Sequence, residues 1–183
     1  MAKRALAEGK RVQVSVQSAF GCGFEGAVPA DRVLTIIQRY LEAGLKTISL
    51  ADTAGHARPD QVRELYDRLF ELEPTIEAAC HFHNTSGLGM AICCAAMERG
   101  VRSFETSFGG LGGCPFTKVA AGNVCTEDFV HYLQRIGRRT DIDLSRLIDL
   151  ARDLAAFFGR DLPGLVYKIG SLPSTNIAPL SSS

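Results

Sequence analysis

The sequence predicts an α/β fold built on a parallel sheet. Three observations carry this: short β-branched segments alternate with amphipathic helical segments, glycine closes several of the helical runs, and polar or glycine-rich loops follow the strand ends.

Residues 11–17 (RVQVSVQ) alternate polar and β-branched side chains and break at Gly21 and Gly23, the pattern of a strand entering a loop. The first helix opens at Pro29, whose fixed φ suits a first turn. It carries Val33, Ile36, Ile37, Tyr40 and Leu41 at helical spacing until Gly44 stops it. Residues 46–51 (KTISLA) form the second strand, and residues 59–72 the second helix, with Val62, Leu65, Leu69 and Leu72 on one side. Residues 75–82 (TIEAACHF) give a third strand, 88–99 a third helix ended by Gly100, and 101–106 a fourth strand that runs into the glycine-rich stretch 108–115. Beyond it the period lapses. Residues 126–136 and 144–158 read as helices, the first with Glu127 and Asp128 in the turn where the helix dipole favours acids. Residues 1–172 then make one domain, and the Ser- and Pro-rich residues 173–183 a flexible tail.

Repeated βα units imply right-handed crossovers. Four of them fit either an open doubly wound sheet or half of an eight-unit barrel, which typically needs about 250 residues. No G-x-G-x-x-G follows the first strand and no Walker lysine pattern is present, so the usual nucleotide-binding reasons for an open sheet are missing and the barrel type is favoured.

Composition narrows the partners. Lys plus Arg and Asp plus Glu both number 20, so the chain has no electrostatic footprint for nucleic acid or an anionic membrane. Residues 78–97 lack Asp, Glu, Lys and Arg but hold two histidines, an asparagine and glycines, which excludes a membrane helix. The basic N-terminus has no apolar run of a secretory signal, so a cytoplasmic location with six reduced cysteines is expected. No CxxC pair points to a zinc ribbon or a thioredoxin-type site.

The chemistry-bearing residues cluster at predicted strand ends. His81 and His83 flank Phe82, and residues two apart on a strand face the same side, so both imidazoles enter one space; the reading divides between a metal site and a hydrogen-bonded pair. Asp52 ends the previous strand, as a loop-capping carboxylate or a substrate contact. Gly109, Gly110, Gly112 and Gly113 lead to Cys114 beside Pro115, which fits a moving lid that delivers a thiol, against an incidental buried cysteine. Asn123 precedes a helix start, where asparagine is ordinarily a cap or turn former. His56 and His131 read as surface residues.

Taken in order, ISLADT, HFHNTSG, GGLGGCP and AGN followed by TED resemble the hydroxymethylglutaryl-CoA lyases, a family of metal-dependent TIM-barrel lyases, over about residues 12–170. The resemblance implies a (β/α)8 barrel of which this chain holds strands five to eight and the C-terminal helices. It makes His81, His83 and Asn123 ligands of a divalent cation, Mg2+ or Mn2+. Cys114 becomes the lid acid, with Asp52 and His81 catalytic, and Ser49, Asp52, Gly112 and Gly113 at the substrate. The implied reaction cleaves 3-hydroxy-3-methylglutaryl-CoA to acetyl-CoA and acetoacetate. Its partners are an acyl-CoA substrate and either a homo-oligomer or the other half of the barrel, which carries the family's enolate-stabilising arginine; the isolated chain is therefore expected to be inactive. A lyase or synthase for another 3-hydroxyacyl-CoA and a non-catalytic metal-binding fragment are the alternatives. Asn84 and Ala51, where the family often has aspartate and glycine, are departures.

Overall fold

A computed structural model describes residues 1–113 and 122–172. Cys114 and the expected tail at 173–183 lie outside the described residues. Among the described residues the sheet has four strands, β1 (Gln13–Val16), β2 (Thr47–Asp52), β3 (Glu77–Phe82) and β4 (Ser103–Glu105), in the order β1-β2-β3-β4 with every neighbouring pair parallel. Helices α2 (Ala30–Glu42), α3 (Pro59–Leu72) and α4 (Gly89–Glu98) make the crossovers. A sheet whose spatial order follows the chain without reversing is that of a barrel; a doubly wound sheet would reverse at a switch point.

The sheet is also curled. Gln13 Nε2 on β1 donates to Glu105 Oε1 on β4 at 2.7 Å, across both intervening strands. In a flat sheet those strands would stand about 14 Å apart, three strand spacings, beyond easy reach of two leaning side chains. Alternation then sorts the faces. Val16, Ile48, Leu50, Cys80 and Phe82 join Val33, Ile37, Val62, Leu65, Leu69 and Ile92 of the helices in one buried core. The concave face carries Gln13, Ser15, Thr47, Ser49, Glu77, Ala79, His81, Ser103 and Glu105 at matching registers. Its polarity is what distinguishes it from a packed interface.

Three boundaries shift from the sequence expectation for local reasons. Pro29 is the cap residue of α2 rather than its first turn, because its ψ of 137° is extended. β3 starts at Glu77, since the Glu73 carboxylate accepts from both the backbone N–H and the hydroxyl of Thr75 and holds that residue in a turn. β4 spans only three residues of the expected six. Helices α5 (Thr126–Arg135) and α6 (Leu144–Phe158) follow the expected periods, α6 with Asp143 capping Arg146 N and Gly159 in the left-handed region at its end.

Two short helices have no sequence signal: α1 (Ala2–Ala7) and α7 (Val166–Ile169). The second is held from afar, by Asp128 accepting the N–H groups of Leu165 and Val166. Val130, Leu144, Ile148, Ala151, Leu162, Val166 and Tyr167 form a second core under these helices. The stretch 78–97 becomes β3 and α4, and no helix among the described residues is long and apolar enough to cross a membrane. Of the cysteines, Cys80, Cys93 and Cys125 are buried, Cys22 and Cys94 are half-buried, and all five are free.

Candidate metal and active site

His81 and His83 straddle the C-terminal end of β3, where alternation turns both rings to the concave face. Their Nε2 atoms lie 3.2 Å apart. Burial, with His81 beside it, pushes the His83 imidazole below its ordinary pKa, which favours the neutral form that can offer a lone pair. His83 also forms an antiparallel bridge with Asn123. That pairing is fixed on both sides: Val124 N donates to Phe82 O at 3.0 Å and Asn84 N to Gly122 O at 3.1 Å.

On its other side the 122–124 segment meets the glycine-rich stretch. Asn123 donates to Leu111 O from its backbone N (3.3 Å) and from Nδ2 (2.9 Å). With Nδ2 so engaged, Oδ1 is left buried without a hydrogen-bond partner. A buried acceptor left empty is unfavourable by about 1–3 kcal/mol, so the arrangement points to a ligand rather than to packing. Among the described residues no group of three His, Cys, Asp or Glu side chains is arranged to hold a metal ion; the donors on hand are two neighbouring imidazoles and the amide oxygen of the residue bridged to His83. That donor set fits a divalent cation.

The glycines explain the threading. A Cβ on Gly122 would run into the carbonyl oxygen of Gly110, and one on Gly112 would lie 2.5 Å from Asn123 Nδ2, so GGLGG and AGN interlock through close backbone approach. Phe108–Gly110 form a 3-10 turn, and Gly109 and Gly110 are both buried. The expectation that all four glycines serve a swinging lid is corrected for these two: they permit packing, and Gly109 donates its N–H to both oxygens of the buried Glu127 carboxylate at 3.0 and 3.1 Å. Gly112 and Gly113 are exposed.

The other sequence-derived site residues fall in different places. Ser49 lies on the concave face, fully buried, in register with Ser15 and Ala79, and its Oγ has no partner. Asp52 pairs with Phe82, one step out of phase with His81, so alternation turns it to the opposite face. The fold therefore does not bring Asp52 together with His81, His83 and Asn123. Only 1% exposed, its carboxylate accepts His56 N (2.8 Å) and Ala57 N (3.2 Å), which orders the loop after Gly55; burial raises its pKa against the pull of these donors. Asp52→Ala is expected to destabilise the chain by about 2 kcal/mol, through two N–H groups left unpaired, as read by urea unfolding. A loss under about 0.5 kcal/mol would return Asp52 to a purely chemical role.

The two departures also resolve. Asn84 Oδ1 accepts Gly89 N at 2.8 Å and so closes the first turn of α4, a task an asparagine performs without facing the cation. Ala51 is the register partner of His81. Two residues escaped sequence reading. Glu105 Oε2 meets His81 Nδ1 at 3.1 Å; the available signal was an acid at the end of a short strand, on the same register phase as the histidines. Glu127 stands in the TED of the motif resemblance, but its residue-level reading stopped at an acid in a first helical turn, which the dipole explains locally.

Comparison with known proteins bears on the family and the fold. The chain is 42% identical over 163 residues to the (R)-citramalyl-CoA lyase of Chloroflexus aurantiacus, covering 89% of the chain and 51% of that protein. It is 39% identical over 149 residues to the hydroxymethylglutaryl-CoA lyase of Pseudomonas mevalonii, covering 81% and 50%. A solved structure of an HMG-CoA lyase from Acinetobacter baumannii, in complex with coenzyme A and 3-methylmalate, superposes with a TM-score of 0.88 at 40% identity over 97% of this chain and 58% of that one. The chain spans about half the length of the curated relatives it matches. Four parallel strands in barrel order, a His-x-His pair at a strand end and a family model labelled HMGL-like that matches residues 1–154 lead to one assignment: the chain is a partial TIM barrel and belongs to the HMGL-like family.

Proposed function

We propose that this chain is the metal-binding half of a carbon–carbon lyase acting on a 3-hydroxy-3-methyl dicarboxylic CoA thioester. The observation that carries the reading is the 3.2 Å approach of His81 Nε2 to His83 Nε2, beside an Asn123 that is bridged to His83 and keeps a buried Oδ1 without a partner. Those three residues would hold the divalent cation, Mg2+ or Mn2+, which supplies Lewis-acid polarisation of the substrate's hydroxyl and carboxylate oxygens.

Cleavage requires the tertiary hydroxyl proton to leave to a base. The C–C bond then breaks with its electron pair delivered to the carbon α to the thioester, and that enolate takes a proton from an acid. Of the two candidate bases, the Asp52 carboxylate is occupied by backbone N–H groups and supports its loop, whereas His81 has a single lone pair, at Nε2, and takes the hydroxyl proton only when that nitrogen is not given to the cation. Cys114 is the proposed acid, delivered from the stretch that begins at the anchored Gly109. The exposed Gly112 and Gly113 fit a backbone contact to substrate, and the Ser49 hydroxyl has a hydrogen-bonding capacity not used within the fold. The reading concerns the complete barrel, since the enolate-stabilising arginine implied by the resemblance belongs to its first strand.

The thioester is either 3-hydroxy-3-methylglutaryl-CoA, giving acetoacetate and acetyl-CoA, or citramalyl-CoA, giving pyruvate and acetyl-CoA. The second is favoured by the 42% identity to a citramalyl-CoA lyase. Both free acids present a hydroxyl and a carboxylate on one carbon side, able to chelate the same ion. The test is a Mn2+ titration followed by electron paramagnetic resonance, with and without 3-hydroxy-3-methylglutarate or citramalate. Apparent Mn2+ affinity is expected to rise severalfold with the preferred acid; unchanged affinity with both overturns the reading.

A further inference from the structure

Glu105 uses its two oxygens differently. Oε1 accepts from Gln13 Nε2 at 2.7 Å, and Oε2 faces His81 Nδ1 at 3.1 Å, while His81 Nε2 faces His83 Nε2 at 3.2 Å. These contacts form one line across the concave face, from β1 through β4 to β3. A carboxylate only accepts, so this contact is a hydrogen bond in the tautomer that carries the proton on Nδ1, which leaves the Nε2 lone pair directed at His83. Gln13 in turn fixes the carboxylate, since a primary amide donates two N–H groups and the side chain comes from 92 residues away in sequence.

We propose that Glu105, held by Gln13, is a positioning residue that sets the tautomer and ring orientation of His81 for the cation. It rests on the metal reading given above and goes beyond it by naming what prepares the site before any ion arrives. A ligand histidine whose other nitrogen is tied to a carboxylate is both oriented and made more basic, and losing such a partner weakens metal binding by about 10–100-fold. Cross-sheet anchoring also means that the first strand contributes to the site without touching the ion.

Two measurements on the purified chain test this. In metal-free protein, long-range 1H–15N correlation spectra of the imidazoles should show His81 protonated at Nδ1; in Glu105→Ala that proton should redistribute to Nε2, and in Glu105→Gln, whose amide oxygen can still accept, it should stay. Mn2+ titration by electron paramagnetic resonance should show a 10–100-fold weaker site in Glu105→Ala, a smaller loss in Gln13→Ala, and recovery toward wild type in Glu105→Gln. If Glu105→Ala fails to fold by circular dichroism, Glu105→Gln and Gln13→Ala carry the comparison. Wild-type tautomer and wild-type affinity in these variants, in a protein that loses Mn2+ when His81 and His83 are removed, overturn the positioning role and leave the metal site standing. Mn2+ binding that survives removal of both histidines sinks the metal reading instead, and the metal-free spectra then still decide whether Glu105 governs His81.

Discussion

Replacing His81 and His83 together with alanine is expected to abolish detectable Mn2+ binding, a loss of at least about 1,000-fold. Two of the three proposed donors are then gone, and the remaining one, Asn123 Oδ1, is a single neutral oxygen. Each single alanine should fall between, because one imidazole and one amide oxygen still form an incomplete chelate. The measurement is free Mn2+ by electron paramagnetic resonance, with circular dichroism to show that the fold persists. It should persist: His81 is partly exposed, and the chain's main core lies on the opposite face of the sheet, so its packing is not touched. Undiminished Mn2+ binding by the double variant would place any cation elsewhere on the chain. Because no carboxylate joins the three donors among the described residues, the wild-type site is expected to be weak, which sets the concentration range of the titration.

How much of this was legible in the sequence follows a physical divide. Features fixed by local periodicity were readable: the strand phase of residues 13–16, the bounds of α6 and the same-face placement of His81 and His83 all follow from a period of 2 or 3.6. Features fixed by contacts between distant segments were not. Asn123 reads locally as a cap, yet the N-cap of α5 is Cys125, and Asn123 earns its place through Leu111 and His83. Asp52 reads as either a turn former or a catalytic acid, and only the register with Phe82 shows which face it takes. The glycines at 109 and 110 read as freedom when seen alone; beside Leu162, Pro163 and Asn123 they are points of contact. The motif resemblance filled part of this gap, because GGLGGCP and AGN name together two segments that periodicity cannot pair.

Glu127→Ala should be the most destabilising single truncation around the site, by about 3–4 kcal/mol. Glu127 is fully buried, and both its oxygens accept the N–H of Gly109. Truncation leaves that amide unsatisfied, at about 1–3 kcal/mol, and opens a cavity where the methylenes and carboxylate stood. The lost volume is not easily refilled, because Gly164 and Cys125 close on the same carboxylate, and a Cβ at 164 would already stand 2.9 Å from its Oε1. For a domain whose total stability is typically about 5–15 kcal/mol, such a loss is visible directly in the urea midpoint. Glu127→Gln keeps the volume and one acceptor and should lose less than half as much. The consequence reaches the candidate metal site through the backbone: Gly109 fixes the start of the stretch whose Leu111 carbonyl receives both N–H groups of Asn123. Glu127→Ala should therefore also raise the hydrogen-exchange rate of the Gly109 and Asn123 amides together, ahead of the core strands, and weaken Mn2+ binding without touching a donor. If Glu127→Ala melts within 1 kcal/mol of wild type, or if the Gly109 amide exchanges faster while that of Asn123 does not, the carboxylate is not what ties the glycine turn to the site.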